Sequence, residues 1–407
     1  MKILELFGGI GACTTALKRL GIPYEIADYV EIDKYAVASY NAINGTNFKP
    51  QDICKWDKNL KVDLIMHGSP CQDFSIAGKQ AGGDFASGTR SSLMYETLRI
   101  VEKLKPKYVI WENVKNLLSQ KHRHNFDNYL DKMKQLGYTN YYQVLNAKDY
   151  GIPQNRERVF TISIRDFSFP EKQELRLKLK DLLETQVEEK YYLSKQAIIG
   201  RTNTNYTKYK LDRNIVNGLD VHPTILSRYE GAPTLLKEQL CDQLIQGGVV
   251  KGGEIINHSY TNSQQRDTLD KYIESKDGIM PTMTTRPDCL GIVEPFIVAS
   301  RGRNPENPSS RVPGEHTEQR LEPNTKGLSN TITSVQKDNY VCEPQENLRI
   351  RKLTPKECWR LMGFSDEEFE KARKVNSNAQ LYKQAGNSIV VNVLASIFKN
   401  LLGDTNE

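Results

Sequence analysis

Three short segments carry side chains suited to chemistry on a bound molecule. Cys71 lies in the segment from Gly68 to Ser75, directly after an apolar run, and Glu112 ends the next β-branched run. The segment from Gln154 to Arg158 places two arginines two residues apart, on one face of the chain if it is extended. Because open α/β sheets place reactive groups at the carboxyl ends of their strands, Cys71 and Glu112 are expected at the same edge. Taken alone, a buried structural cysteine and a helix-capping glutamate explain the same residues.

A glycine-rich turn near the amino terminus predicts a nucleoside-binding site. The residues from Phe7 to Gly11 read Phe-Gly-Gly-Ile-Gly, between a strand-like run and a helical pattern. Glu31 ends the second strand-like run 20 residues after Gly11, which is the spacing of a carboxylate that holds ribose hydroxyls. Thr14 stands where the dinucleotide fingerprint has its third glycine, which argues against a pyrophosphate. Tight packing of the strand against the helix is the alternative explanation of this turn.

A sheet is needed to position these segments, and the first 165 residues predict one. Short apolar or β-branched runs alternate there with amphipathic helical patterns, as in a parallel sheet built from βα units. A helix is predicted over Leu93 to Leu104, because Met94, Leu98 and Val101 recur at helical spacing and Pro106 ends the pattern. The predicted strands are Ile3 to Phe7, Tyr24 to Ile32, Asp63 to Met66, Tyr108 to Trp111, Tyr142 to Leu145 and Val159 to Ile164.

A second, mostly β domain is predicted from about residue 196, where Asn, Thr, Pro and Gly separate short strand-like runs. Residues 278–285 of this region are echoed 49 residues later by residues 327–334, which indicates two similar strand-turn-strand units. The predicted boundaries are 1–195 plus 382–407 for the first domain and 196–381 for the second.

The carboxyl-terminal part is predicted to be helical. Thr354 is the expected N-cap of one helix, with Pro355 at its first position. Ser365 and Glu368 form the pattern of a capping box for a second helix. A final apolar helix is predicted from about Ser388 to Leu401.

The composition describes a soluble globular protein. The chain has 407 residues, 56 Lys and Arg against 50 Asp and Glu, a net charge of +6 and 38% hydrophobic residues. This apolar content excludes extensive disorder, and the small basic excess permits nucleic acid as a partner. Seven scattered cysteines without a Cys-x-x-Cys pair predict reduced thiols and no metal site. No unbroken apolar run approaches the roughly 18 residues of a membrane span, so an intracellular protein is expected.

The ordered set of segments resembles the DNA (cytosine-5) methyltransferases of bacterial and phage modification systems. The resemblance spans nearly the whole chain except residues 196–350. It rests on the segments Phe7 to Gly11, Pro70-Cys71-Gln72, Glu112-Asn113-Val114, Gln154 to Arg158, Arg351 to Phe364 and Gln384 to Ser388. The implied fold is a Rossmann-like S-adenosylmethionine-dependent methyltransferase sheet with a second, smaller, mostly β target-recognition domain.

The resemblance implies a role for each catalytic candidate. Cys71 would be the thiolate that adds to C6 of cytosine, which allows C5 to accept a methyl group. Glu112 would meet N3 and the exocyclic amine, Arg158 would meet O2, and Arg156 would lie near the thiolate and the backbone. Asn113 would orient this edge of the pocket.

The resemblance also implies S-adenosyl-L-methionine as methyl donor and S-adenosyl-L-homocysteine as product. Phe7 would lie against the adenine, Glu31 would bind the ribose hydroxyls, and the last helix would fold back onto the sheet. The implied cofactor-binding residues are Phe7, Gly8, Gly9, Ile10, Gly11, Glu31, Ile32, Asp52, Ile53, Pro70, Leu93, Asn387 and Ser388.

Double-stranded DNA is the implied substrate, with the target cytosine extruded from the helix. A monomer in the cytoplasm, associated with the nucleoid through DNA, is expected, and a cognate restriction endonuclease in the same system stays open. Three alternatives are a tRNA cytosine-5 methyltransferase, a catalytically inactive DNA-binding homologue and a nicotinamide oxidoreductase. The large second domain favours duplex DNA, Cys71 and Glu112 argue against an inactive homologue, and Thr14 argues against the oxidoreductase.

Overall fold

The computed structural model describes residues 1–70, 89–164, 167–194, 249–251, 254–256, 295–304, 307, 310, 315–324, 327–334, 339–343 and 349–403. Cys71, most of the predicted second domain and the first echoed segment, residues 278–285, lie outside these residues. The elements in chain order are β1 (Lys2–Leu6), α1 (Ala12–Arg19), β2 (Glu25–Val30), α2 (Lys34–Asn44), β3 (Leu64–His67), α3 (Met94–Leu104), β4 (Tyr108–Val114), α4 (Arg123–Gln135), β5 (Thr139–Asn146), β6 (Glu157–Ile164), α5 (Leu179–Leu182), β7 (Val249–Lys251), β8 (Glu254–Ile256), β9 (Phe296–Arg303), β10 (Glu318–Asn324), β11 (Tyr340–Glu343), β12 (Arg349–Lys352), α6 (Pro355–Leu361), α7 (Asp366–Arg373), α8 (Asn378–Asn387) and α9 (Val391–Leu402).

Six strands form one sheet in the order β2-β1-β3-β4-β6-β5. Strand β1 pairs in parallel with β2 and β3, and β3 pairs in parallel with β4, whereas β6 runs antiparallel to both β4 and β5. The carboxyl ends of β1 to β4 therefore share one edge of the sheet, and β6 begins at that same edge. This α/β sheet confirms the predicted fold class.

The central strands are buried on both faces, which explains their nearly continuous apolar sequences. Leu4 of β1, Ile65 of β3 and Val109 of β4 are each fully buried in one cluster. Trp111 extends this cluster toward the carboxyl edge, where its ring lies 4.1 Å from that of Tyr129 on α4. Side chains at this edge are consequently anchored in close-packed surroundings.

The carboxyl-terminal part is helical, as the sequence predicts. Helix α6 begins at Pro355, and Ser365 caps α7 with Glu368 in the predicted capping box. The final helix predicted from about Ser388 to Leu401 is α9 (Val391–Leu402), and Ser388, with extended backbone angles, separates it from α8. The window within Asn378–Leu402 has a mean hydropathy of 1.3 and is long enough to cross a membrane, and 56% of that window is buried inside the fold. Helix α9 packs against α1, so these are core helices.

Two compact units divide the chain. The first comprises residues 1–177, 332–335 and 355–407, and the second comprises residues 178–331 and 336–354. Residues 355–381, which the sequence analysis placed in the second domain, group with the first unit because α6 packs against α8 and α7 packs against α2. The segment 178–195 groups with the second unit instead.

The described part of the second unit is mostly β, as predicted. Four antiparallel strands follow the order β10-β9-β11-β12, and β7 and β8 form a separate hairpin. The sheet buries an apolar cluster that includes Phe296, Val298, Leu321, Tyr340 and Ile350. The second echoed segment, residues 327–334, is not part of a strand of this sheet, and β11 begins six residues after it.

Candidate active site

The glycine-rich turn after β1 forms the floor of a cavity. Phe7 has a φ of 53°, which is unusual for a residue with a side chain, and Gly11 caps α1 with a φ of 87°. Tyr29 of β2 lies so close to the turn that a Cβ at Gly8 would come within 2.7 Å of its ring. The Tyr29 hydroxyl donates to the Gly9 carbonyl at 2.5 Å. These contacts require the predicted glycine pattern.

Thr14 explains how the turn manages without a third glycine. Its hydroxyl donates to the Gly11 carbonyl at 2.9 Å, and the residue is fully buried. A Cβ at Gly11 would lie 2.7 Å from the same hydroxyl oxygen. Thr14 thus stabilises the start of α1 through a buried hydrogen bond, and residues of the glycine-rich turn line the cavity.

Glu31 meets the turn at the carboxyl end of β2. Its carboxylate accepts hydrogen bonds from the Gly9 N–H at 3.2 Å and from the Asp33 N–H at 2.9 Å. Burial raises the pKa of Glu31, and these two backbone hydrogen bonds act in the opposite direction. A carboxylate held in this way at the cavity wall can accept hydrogen bonds from a vicinal diol.

The cavity has an empty volume of about 700 Å³, which includes space open to solvent. Seven of the predicted cofactor-binding residues line it: Phe7, Gly8, Gly9, Ile10, Glu31, Asn387 and Ser388. The other six predicted residues, all within the described part of the chain, are not among its lining residues: Gly11, Ile32, Asp52, Ile53, Pro70 and Leu93. Of these, Ile32 is 69% exposed, and Asp52 accepts a hydrogen bond from the Cys54 N–H at 3.0 Å.

Sequence reasoning missed eleven of the lining residues: Glu5, Leu6, Ala12, Cys13, Asp33, Ala36, Met66, Gly68, Lys383, Gln384 and Ile389. Lys383 and Gln384 lie on α8 one helical turn before Asn387 and Ser388, so helical spacing could have identified them. Lys383 forms an ion pair with Asp33 at 2.7 Å. Burial acts to raise the pKa of Asp33, but the Lys383 ammonium and the backbone N–H groups of Tyr35 and Ala36 together lower it.

Glu5 is a buried carboxyl group in the cavity wall. It is 1% exposed and accepts a hydrogen bond from the Tyr40 hydroxyl at 2.7 Å. Burial raises the pKa of Glu5 to about 7, against the opposing hydrogen bonds from Tyr40 and Thr14. Glu5, Glu31, Asp33 and Glu112 make the cavity wall rich in carboxyl groups, and Lys383 is the basic residue among its described lining residues.

The loop after β3 is held against β4. The Trp111 indole N–H donates to the Ser69 hydroxyl at 3.0 Å, and the Asn113 amide donates to the Ser69 carbonyl at 3.3 Å. Asn113 is 1% exposed, and its Oδ1 accepts from the Val114 N–H at 2.8 Å. These bonds place Pro70, the last described residue before Cys71, at the carboxyl edge of the sheet.

Glu112 and Arg158 form an ion pair at this edge. Residue Val114 of β4 lies opposite Arg158 of β6, so the alternation of side chains puts Glu112 and Arg158 on the same face. Arg158 Nε lies 3.1 Å from Glu112 Oε1. A Cβ at Gly68 would lie 3.8 Å from Glu112 Oε2. Burial raises the pKa of Glu112, while the charges of Arg158 and Arg156 oppose that rise.

Arg156 lies in a different environment. The residue is 4% exposed, and its guanidinium donates to the carbonyls of Ile332 at 2.7 Å, Ser388 at 2.8 Å and Gly386 at 3.2 Å. The resemblance placed this guanidinium near the thiolate and the backbone. In the structure its partners are backbone carbonyls from two distant segments of the first unit.

Comparisons with known proteins identify the family of this chain. The family model for C-5 cytosine-specific DNA methylases matches residues 1–403. The orphan methyltransferase M.SPRI of Bacillus phage SPR is 31% identical over 461 residues, with 99% of this chain and 97% of the relative covered. The type II methyltransferase M2.ScrFI of Lactococcus lactis subsp. cremoris is 31% identical over 463 residues, with 98% and 99% covered.

A solved structure shares the fold. The methyltransferase EhMeth of Entamoeba histolytica superposes with a TM-score of 0.54 at 15% identity, with 100% of this chain and 99% of the other covered. The full-length family match, together with a glycine-rich cavity and an acidic residue beside an arginine at the sheet edge, establishes what kind of enzyme this is. The chain belongs to the family of C-5 cytosine-specific DNA methylases and is a DNA cytosine-5 methyltransferase.

Proposed function

We propose that this enzyme transfers a methyl group from S-adenosyl-L-methionine to C5 of a flipped-out cytosine in a specific double-stranded DNA sequence, through a covalent Cys71 adduct. The observation that carries the proposal is the Glu112–Arg158 ion pair beside Gly68, three residues before Cys71 along the loop. An acid and a hydrogen-bond donor thus lie near Gly68, and the proposed nucleophile follows three residues later in the sequence. The cavity for the methyl donor opens on the same edge of the sheet.

The residues of the cavity fit S-adenosyl-L-methionine. Glu31 offers a carboxylate for the ribose hydroxyls, and Phe7 and Ile389 offer apolar surface for the adenine or the methionine chain. When bound, the donor supplies a methyl group on a sulfonium, which an electron-rich carbon can attack.

Glu112 compensates the charge that develops on the ring. When the Cys71 thiolate adds to C6, an electron pair moves toward N3, and a protonated Glu112 can donate its proton there. The raised pKa of Glu112 favours that protonated form. After C5 has taken the methyl group, N3 returns its proton to the Glu112 carboxylate, solvent water takes the C5 proton and the Cys71 thiolate leaves, which restores the aromatic ring.

Arg158 and Asn113 organise the same pocket. Arg158 keeps donors beyond its bond to Glu112, so its guanidinium can meet the cytosine O2 while it orients the carboxyl group. Asn113 holds the loop that precedes Cys71 through Ser69. In this arrangement Asn113 fixes the position of the loop, and Arg158 contacts the base.

We propose the second unit as the target-recognition domain. Apart from Arg351 and Lys352 at the end of β12, the sheet that it contributes lies in the part of the chain without a sequence motif of the family. In the first unit, residues of the segments Phe7 to Gly11 and Gln384 to Ser388, together with Glu112, line the cavity. Extruding a stacked cytosine costs a few kcal/mol, so contacts made elsewhere to the duplex must compensate. Bisulfite sequencing of DNA from an expressing strain identifies the methylated sequence.

A mechanism-based trap tests the proposal. Duplex DNA that carries 5-fluorocytosine at the methylated position should form a complex that survives denaturant, because fluorine at C5 cannot leave as a proton and Cys71 stays attached. Cys71→Ser should abolish this complex, and Cys54→Ser should retain it, since Cys54 is an exposed cysteine outside the site. A complex that dissociates in denaturant refutes covalent catalysis. Methylation of tRNA in place of DNA with a tritiated methyl donor would favour the tRNA alternative.

A further inference from the structure

A junction of three chain segments surrounds Arg156. The guanidinium donates to the Ile332 carbonyl on one side and to the Gly386 and Ser388 carbonyls on the other. Gly386 and Asn387 are the last residues of α8, Ser388 begins the turn to α9, and Asn387 and Ser388 line the cofactor cavity. One buried cation therefore connects the cavity wall to a segment about 50 residues earlier in the chain.

Gln154 is a second side chain that bonds the backbone of Ile332. Its amide oxygen accepts a hydrogen bond from the Ile332 N–H at 3.1 Å, and its amide nitrogen donates to the Leu361 carbonyl at 2.7 Å. The side chain is fully buried. Both backbone groups of Ile332 are thus bonded by side chains of the loop before β6, one by Gln154 and one by Arg156.

Helix α8 packs directly against the same segment. A Cβ at Gly386 would lie 2.4 Å from the Ser334 nitrogen and 2.4 Å from the Thr333 carbonyl carbon. Only a glycine allows the two backbones to approach this closely. Displacement of residues 332–334 would therefore disturb the carbonyl of Gly386 and the turn that follows it.

The segment that contains Ile332 lies, along the chain, between two parts of the second unit. Residues 332–335 belong to the first unit, whereas the residues immediately before and after them belong to the second. The chain leaves the proposed recognition unit at Thr331, contributes Ile332 to the junction and returns at residue 336. A force that DNA applies to the second unit acts on Ile332 through these two covalent connections.

We propose that Arg156 is a positioning residue that couples DNA binding by the second unit to occupancy of the cofactor cavity. The inference rests on the proposed function. A bound cofactor fixes the segment Gly386 to Ser388, which fixes Arg156 and Ile332, so that the recognition unit binds DNA more tightly. Linkage is reciprocal, so bound DNA must tighten cofactor binding by the same factor.

The test measures this coupling directly. A fluorescein-labelled duplex that carries the site found by bisulfite sequencing is titrated with the full-length enzyme, with and without saturating S-adenosyl-L-homocysteine. The ratio of the two dissociation constants is the coupling factor, expected to be about fivefold or more in the natural enzyme. Arg156→Lys should reduce the factor at least threefold, because one ammonium cannot reach three carbonyls in two directions.

Arg19→Lys is the matched control. Arg19 is an arginine of the same unit whose guanidinium bonds the Gly363 carbonyl and Asn392 Oδ1. Its replacement should lower the melting temperature while the coupling factor stays at the natural value. If Arg156→Lys loses its cooperative melting transition, Gln154→Met is measured in its place and should also reduce the coupling factor.

Three results would overturn the inference: a coupling factor of one in the natural enzyme, an unchanged factor in Arg156→Lys, or an unchanged factor in the Gln154→Met substitute. These outcomes are distinct from failure of the proposed function. If the natural enzyme forms the 5-fluorocytosine complex but Arg156→Lys leaves the coupling factor unchanged, the proposed function stands and the role of Arg156 is refuted. An enzyme that binds neither DNA nor S-adenosyl-L-homocysteine loses both.

Discussion

Glu5→Gln should stabilise the protein at alkaline pH and leave its stability nearly unchanged at acidic pH. The folded-state pKa of Glu5 is about 7, above the ordinary value of 4.5, because the carboxyl group is buried. The stabilisation from the neutral carboxyl is fully present below pH 4.5 and is lost as the pH rises through about 7. The difference between the two values corresponds to about 3 kcal/mol of unfolding free energy.

Glutamine has no charge to bury, and its carbonyl can still accept the hydrogen bond from the Tyr40 hydroxyl. The stability of the variant relative to the natural protein should therefore rise by about 3 kcal/mol between about pH 4.5 and about pH 8. Urea unfolding at several pH values measures this difference. Glu25→Gln removes a carboxylate that is 65% exposed and should change stability by no more than about 0.5 kcal/mol at any pH. A Glu5→Gln effect of constant size across the pH range would refute the reasoning.

Three further predictions concern the site. Glu112→Gln should lower kcat by about 100-fold or more with little change in cofactor affinity, because the amide cannot give a proton to N3. Single-turnover kinetics measures the rate of methyl transfer, and calorimetry measures cofactor affinity. A loss confined to cofactor affinity would contradict the role of Glu112 as the proton donor. Gly8→Ala should destabilise the fold by about 1 to 3 kcal/mol, since the new methyl group meets the Tyr29 ring at 2.7 Å; an unchanged melting temperature would count against this packing. Lys383→Met should weaken cofactor binding a few-fold at low salt and less at high salt, because salt screens the partly exposed ion pair of Lys383 with Asp33. Lys383→Arg, which keeps the positive charge, is the control. A loss of cofactor affinity that does not depend on salt would exclude the ion pair as its cause.

The sequence by itself determined the class of sheet and the half of the cavity formed by local motifs. Alternating βα patterns predict parallel strands, and their carboxyl ends necessarily share an edge, so Glu31 and Glu112 could be placed there before any coordinates. Strand boundaries differ by a few residues, as in β4, which continues through Glu112 to Val114. Caps such as Ser365 with Glu368 were readable because they depend only on neighbours along the chain.

Only the tertiary structure decided how distant segments meet. The sequence predicts the final helix, α9, but it does not predict that the preceding helix, α8, lies against residues 332–334. Residues 355–381 join the first unit because their apolar faces pack on α8 and α2, which no local pattern reveals.

Arg156 shows the physical reason most clearly. Its spacing from Arg158 predicted only that the two guanidiniums share one face of an extended segment. In the structure Arg158 forms an ion pair at the cavity edge, and Arg156 bonds carbonyls from residues 332, 386 and 388. A local motif specifies which donors a side chain carries. The acceptors that it finds come from segments more than 170 residues away, and folding of the whole unit brings those segments together.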